Sequence, residues 1–183
     1  MRRYIYFVFL LCCAVNLLLT SCVRQKYVVM DMVHHNPGEA MTESKFLDPS
    51  FLKKNEYGAK VFFLFEAAQF GIDWKSFDPS LFPDTTEAGR WVAEKAEIIH
   101  KKYDAAKKED LQVYCMLDML VLPSLLVEKH RTELTNEQGK LDISKPYTQL
   151  CIRELMKEMF ETFPQLDGLV IRTGETYLHD APY

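Results

Sequence analysis

Four short apolar runs recur along the chain, and each is rich in valine, isoleucine, phenylalanine, tyrosine or methionine. They cover 27–33, 60–65, 112–117 and 168–171. None of them alternates cleanly between apolar and polar residues, which is typical of strands that are buried on both faces. The runs therefore predict four strands of a parallel sheet.

Helical periodicity fills the gaps between these runs. The clearest case is a single apolar helix face that ends before Pro164 and is formed by Ile152, Leu155, Met156, Met159, Phe160 and Phe163. A looser stripe covers 91–106, a shorter helix is predicted over 49–55, and another is predicted to begin near Pro123. Alternating strands and helices predict an α/β fold with parallel crossover connections and the strand order 1-2-3-4.

The N-terminal segment differs in kind from the rest of the chain. Arg2 and Arg3 precede an apolar run over 4–19, which leads into the sequence LTSC at 19–22. A short positive segment, an apolar stretch and two small residues before a cysteine are typical of a bacterial lipoprotein signal. We therefore predict that Cys22 carries lipid. The alternatives are a transmembrane anchor, for which the run is short against a span of about 20 residues, and a cleaved signal without lipid.

This interpretation divides the chain into a lipoprotein signal over 1–21 and one domain over 22–183. It predicts a lipid-anchored protein of the bacterial cell envelope, at the outer membrane. The net charge of −4 argues against a nucleic-acid partner, which usually needs a basic face. Beyond the signal and its lipidated cysteine only Cys115 and Cys151 remain, and we expect both to be buried hydrophobes rather than a disulfide framework.

Polar or ionisable residues follow every predicted strand. Ligands of parallel α/β folds bind at the carboxyl ends of the strands, so these residues are candidates for a functional site. In chain order they are His34, His35, Asn36, Glu66, Asp118, Arg172, Glu175 and Tyr177. The long connection over 67–89 adds one more candidate, Trp74.

The carboxylates among these candidates suggest acid–base chemistry. Two carboxylates can divide the roles of acid and base when their environments separate their pKa values, as in glycoside hydrolysis. Glu175 ranks first as a catalytic residue, with Glu66 or Asp118 as the second carboxylate. Arg172 is expected to orient Glu175 or to hold a carboxylate of the substrate.

The remaining candidates suggest binding of a sugar. His34, His35 and Asn36 would form hydrogen bonds with sugar hydroxyls, and Trp74 and Tyr177 would stack on a sugar ring. No metal or cofactor is expected. Adjacent histidines on an extended chain point to opposite faces, and the sequence has no Gly-rich phosphate loop, GxSxG, HExxH or CxxC motif.

Each of these roles has a structural alternative. Arg172 and Glu175 could form an ion pair that only stabilises the fold. Glu66 and Asp118 could cap the helices that follow them. Trp74 could simply pack within its loop.

Three segments carry a resemblance to a known family. They are DMVHHNPGE at 31–39, FFLFE at 62–66 and LVIRTGETY at 169–177. With these segments the chain resembles, over 28–183, the N-terminal part of exported (β/α)8-barrel proteins of Bacteroidetes of the glycoside hydrolase kind. The resemblance implies the first half of a TIM (β/α)8 barrel and a glycan or oligosaccharide as substrate.

The number of predicted strands departs from that family. A (β/α)8 barrel needs eight strands, whereas the sequence predicts four. We therefore expect the chain to be a truncated gene product or a piece of a longer protein. The alternative functions are a non-catalytic glycan-binding lipoprotein and an inactive fragment of a decayed gene.

The lipoprotein signal leads to a direct test. In bacteria that express the full chain, we expect labelled palmitate to be incorporated into the wild-type protein and not into Cys22→Ser, because the thiol is the acceptor of the lipid. Labelled protein is detected after immunoprecipitation. Label that persists in Cys22→Ser, or that never enters the wild type, would show that Cys22 is not lipidated.

Overall fold

The structure is a computed structural model, and it describes residues 29–31, 44–63 and 66–172. Several sequence-based predictions lie outside the described residues. They are the signal over 1–21 and the roles of Cys22, His34, His35, Asn36, Glu175 and Tyr177.

Within the described residues, four strands form one sheet in the order 1-2-3-4, and every neighbouring pair is parallel. The strands are β1 (Met30–Asp31), β2 (Ala59–Phe62), β3 (Gln112–Asp118) and β4 (Gly168–Arg172). The predicted α/β class, the parallel direction and the strand order are confirmed. The bounds of β3 and β4 agree with the apolar runs to within one residue.

Helices connect the strands, as the periodicity predicted. They are α1 (Pro49–Lys54), α2 (Glu87–Lys108), α3 (Ser124–Lys129), α4 (Arg131–Leu134) and α5 (Pro146–Thr162). Two 3₁₀ turns, Lys45–Leu47 and Ala68–Gly71, lie in the connections. The helix that carries the predicted apolar face was expected over 147–163 and spans Pro146–Thr162, with proline well suited to its first turn.

Side-chain caps fix the start of α1 and of α2. The carboxylate of Asp48 accepts a hydrogen bond from the Ser50 amide at 2.9 Å. The hydroxyl of Thr86 accepts one from the Gly89 amide at 3.0 Å. Such caps satisfy amide groups that have no partner within the helix. They determine where the long connection after β2 turns into α2.

The main hydrophobic cluster lies on one face of the sheet, although Ala59 and Val61 of β2 are also buried on the other face. Successive residues of a strand point to opposite faces, and the core includes Phe62, Val113 and Leu117. Their neighbours Tyr114 and Met116 are half-buried on the other side, which we call the second face of the sheet. Right-handed crossovers between consecutive strands place their helices on the same side, which explains the one-sided core.

Aromatic rings from the sheet and the helices meet at the centre of this core. Tyr103 of α2 lies 4.8 Å from Phe62 and 5.5 Å from Phe163, measured between ring centroids. Its hydroxyl donates a hydrogen bond to the backbone carbonyl of Glu66 at 2.9 Å. Burial raises the pKa of Tyr103 far above its ordinary value, so the phenol stays neutral and its role is structural.

The two cysteines of the described domain are free and buried. Burial raises the pKa of each thiol, to about 11 for Cys115 and about 11 for Cys151. Both are therefore protonated at neutral pH, and the prediction that they are buried hydrophobes is confirmed.

Gly89 provides a test of how closely the connection after β2 approaches α2. A Cβ atom at this position would lie 2.6 Å from the carbonyl carbon of Pro83, and this backbone contact cannot be relieved by a side-chain movement. We expect Gly89→Ala to lower the free energy of unfolding by about 1–3 kcal/mol, although alanine is the better helix former. Chemical denaturation measures the change.

The control for Gly89→Ala is Ala93→Gly, on the exposed side of the same helix. It should cost about 1 kcal/mol through helix propensity alone. A gain of stability in Gly89→Ala would contradict the close approach.

Candidate functional site

An ion pair joins the carboxyl ends of β3 and β4. Asp118 and Arg172 are directly opposite each other in the register of the two strands. Nε of Arg172 donates to Oδ1 of Asp118 at 2.6 Å, and Nη2 donates to Oδ2 at 2.6 Å. The Asp118 side chain is 6% exposed and the Arg172 side chain 34%. This bidentate geometry holds the carboxylate in one orientation.

The pleat of the strands places this pair on the second face of the sheet. Leu117 belongs to the core, so the next residue, Asp118, points away from it. Arg172 points the same way, because residues that face each other across two strands project from the same side of the sheet. The pair therefore lies at the strand ends on the face opposite to the helices.

Glu66 is directed towards the helices instead. Its carboxylate forms an ion pair with Lys102 of α2, and its side chain is 21% exposed. Its backbone carbonyl accepts the hydrogen bond from Tyr103 of the same helix. The two candidate carboxylates of the described domain thus have different surroundings: Glu66 is bound to the helix layer and Asp118 to the neighbouring strand.

Neither carboxylate caps a helix, so the capping alternative is wrong for both. The 3₁₀ turn that follows Glu66 has Ala67 at its N-cap, with no side-chain hydrogen bond. Helix α3, the first after Asp118, has Pro123 at its N-cap, also without one.

Trp74 lies in the core, with 1% of its surface exposed. Its ring contacts Phe77 edge to face, with the centroids 6.1 Å apart. Its backbone adopts a φ of 57°, and within the described residues its Nε1 is buried without a hydrogen-bond partner. This burial corrects the expectation that Trp74 stacks on a sugar ring, because no face of the indole is accessible. The alternative of packing within the loop describes its position.

A second polar cluster joins the connections after β2 and β3 to the start of α5. Asp78 accepts a hydrogen bond from Ser80 Oγ at 2.7 Å and pairs with Lys129 Nζ at 2.6 Å. His130 Nε2 lies 3.1 Å from the same carboxylate, and its Nδ1 lies 3.0 Å from the Tyr147 hydroxyl. We call these five residues the Asp78 cluster.

Two members of the Asp78 cluster have shifted pKa values that keep Asp78 ionised and Tyr147 neutral at neutral pH. Hydrogen bonds from Lys129 and Ser80 hold the pKa of Asp78 well below its ordinary value, although burial opposes the shift. Desolvation raises the pKa of Tyr147. An ionised Asp78 accepts a hydrogen bond from Nε2 of His130, and the Tyr147 hydroxyl lies at Nδ1 of the same ring. The arrangement anchors both loops to the helix.

The sequence analysis identifies Asp118 and Arg172 as candidates, but it expects Arg172 to orient Glu175. It therefore misses the ion pair between Asp118 and Arg172 that the structure shows. A signal for it exists: each is the first polar residue after the apolar run of its strand, so neighbouring parallel strands bring them together. No comparable signal marks the Asp78 cluster, since Asp78 and His130 are 52 residues apart and belong to no spacing motif.

Comparisons of this chain with protein families, with curated proteins and with solved structures find no match. In the part of the chain that the structure describes, no group of three or more His, Cys, Asp and Glu side chains could hold a metal ion. No helix there is long and apolar enough to cross a membrane.

The Asp78 cluster predicts how stability depends on pH. Because the pKa of Asp78 is lower in the folded chain than its ordinary value of 3.8, its contribution is complete above that value and is lost as the pH falls through the folded pKa. We expect Asp78→Asn to lower the free energy of unfolding by about 1–3 kcal/mol at neutral pH. The difference from wild type should shrink as the medium becomes more acidic than about pH 4.

Urea unfolding at neutral and acidic pH measures this difference. Asp84→Asn, at an exposed position of the same loop, is the control and should change stability by less than about 0.5 kcal/mol. If the free energy of unfolding of Asp78→Asn stays below that of the wild type by the same amount at the most acidic pH measured, the charge of Asp78 does not have this role.

Proposed function

We propose that the described domain is the first half of a (β/α)8 barrel. Three observations support this: the order 1-2-3-4, the parallel direction of every pair and the core on one face. In such a barrel the helices form the outer ring and the other face of the sheet lines the interior. The second face of this sheet would then point to the barrel axis.

The reaction that we propose is hydrolysis of a glycan or oligosaccharide at the bacterial cell envelope. The observation that carries the proposal is the Asp118–Arg172 pair, a fixed carboxylate on the second face at the carboxyl ends of two strands. In barrel enzymes the catalytic side chains come from the carboxyl ends of several different strands. Glycosidases use two carboxylates placed on either side of the scissile bond.

The surroundings of the carboxylates suggest how they would divide the work. A guanidinium in bidentate contact favours the ionised form of Asp118, which suits a nucleophile or a base. Glu175, three residues beyond Arg172, would then be the general acid. Glu66 is the weaker candidate because its carboxylate is bound to Lys102 on the helix side.

The other parts of the proposal concern binding and location. His34, His35 and Asn36 would bind sugar hydroxyls from the connection after β1, and Tyr177 would stack on the ring. Lipid on Cys22 would hold the protein at the outer membrane. A glycan-binding lipoprotein without catalysis is the second candidate, favoured by the fact that both oxygens of Asp118 are already engaged by Arg172.

Kinetics of carboxylate variants test the proposed reaction. The gene is expressed with any in-frame sequence that follows Tyr183, and release of reducing ends is measured on a panel of bacterial and plant polysaccharides. We expect Glu175→Gln and Asp118→Asn each to lower kcat by about 10²–10⁴, because each removes an acid, a base or a nucleophile.

The control is Glu137→Gln, at an exposed position of the turn after α4, which should leave the rate unchanged. All variants are compared at matched thermal stability. Wild-type rates in Glu175→Gln and Asp118→Asn would remove both from the mechanism. If the protein binds a polysaccharide without cleaving it, the result would favour the non-catalytic glycan-binding function.

A further inference from the structure

A groove of about 540 Å³ lies between the connection after β3, helix α3 and the turn after α4. Its wall is mostly apolar, with Leu120, Val121, Leu122, Val127 and Leu141, and it also includes the exposed Ser124. One charged side chain, Lys140, stands at the groove. The volume lies within the range of sites for small molecules, about 300–1,000 Å³.

The turn that carries Lys140 is held by several hydrogen bonds. Oδ1 of Asn136 accepts from the amides of Gln138 at 3.0 Å and Lys140 at 3.1 Å. The Asn136 amide donates to the Lys140 carbonyl at 2.8 Å, and Thr135 pairs with Leu141 in an antiparallel bridge. The backbone of Lys140 is therefore fixed beside the apolar wall.

The Lys140 side chain is exposed, and no ion pair with it is found among residues 29–31, 44–63 and 66–172. An apolar wall with a cation at its edge is complementary to a molecule with an apolar chain and one anionic end. A sugar fits poorly, because its hydroxyls would exchange water for a surface with few hydrogen-bonding groups.

We propose that this groove binds a free fatty-acid carboxylate, with the acyl chain along the apolar wall and the carboxylate at Lys140. The site is distinct from the Asp118–Arg172 pair, and the proposal does not rest on glycan hydrolysis. Transfer of the acyl chain of the ligand from water to the apolar wall supplies the binding energy. Lys140 sets the orientation of the ligand and the preference for a carboxylic acid over an alcohol.

Calorimetric titration of the full chain in phosphatidylcholine nanodiscs tests the proposal, with hexanoate, octanoate and 1-octanol as probes and empty discs measured in parallel. We expect octanoate to bind about fifteenfold more tightly than hexanoate, since each methylene that leaves water contributes about fourfold. Lys140→Gln should weaken octanoate binding by about two- to fivefold, the usual range for an exposed ion pair, and leave 1-octanol binding unchanged.

The matched control is Lys54→Gln, an exposed lysine on α1 that is far from this groove in the chain and should leave octanoate binding unchanged. A second variant, Val127→Gln, should weaken octanoate and 1-octanol alike, because it makes the wall polar. The proposal is overturned if heat arises from empty discs alone, if hexanoate and octanoate bind equally, or if Lys140→Gln and Lys54→Gln behave alike.

Discussion

The four parallel strands run consecutively across the sheet, and this order restricts where everything else can lie. Crossovers between neighbouring parallel strands are almost always right-handed, and this rule puts the helices that follow successive strands on the same face. The core is accordingly built from alternate strand positions such as Val113 and Leu117, together with Tyr103 of α2 and Leu155 of α5. The second face lies outside that cluster, and its buried apolar residues, such as Val61, come from β2 itself. Its side chains are positioned by the register of the strands and by the pleat, and this is how Asp118 and Arg172 come to face each other.

Burial decides which polar contacts of this domain matter most. Ion pairs such as Lys101–Glu97, whose side chains are both about two-thirds exposed, are screened by water and contribute little to stability. Asp118 is 6% exposed, so removing its partner would leave a nearly buried charge, which costs far more. Glu158 of α5 is buried in a similar way, and it accepts a hydrogen bond from the Ser76 amide at 2.8 Å. With the Asp78 cluster, it ties the long connection after β2 to the helix layer.

Periodicity made most of the fold predictable, because burial on one face of a helix or within a sheet leaves a regular mark on the sequence. The runs at 112–117 and 168–171 became β3 and β4 with almost the same bounds. Contacts between polar side chains of different strands do not produce a regular pattern in the sequence, so they could not be predicted in this way. Asp118 and Arg172 are 54 residues apart, and only the register makes them neighbours. The sequence also does not show where the Trp74 side chain points, since an aromatic residue in a polar loop can face either the core or the solvent. In the structure the indole packs into the core, and Trp74 has a positive φ.

The connection after β3 shows how one short segment can serve two chemically different surfaces. Asp118 ends the strand with a carboxylate on the second face, and the amide of Val121 donates back to the Asp118 carbonyl at 2.9 Å, closing a tight turn. The apolar residues of that turn, Leu120 to Leu122, then line the groove beside α3. A turn of a few residues thus separates the Asp118–Arg172 pair from the apolar wall of the groove. The separation follows from physical chemistry: the nearly buried carboxylate of Asp118 keeps its bidentate partner at the strand ends, and the turn itself places only apolar side chains at the groove.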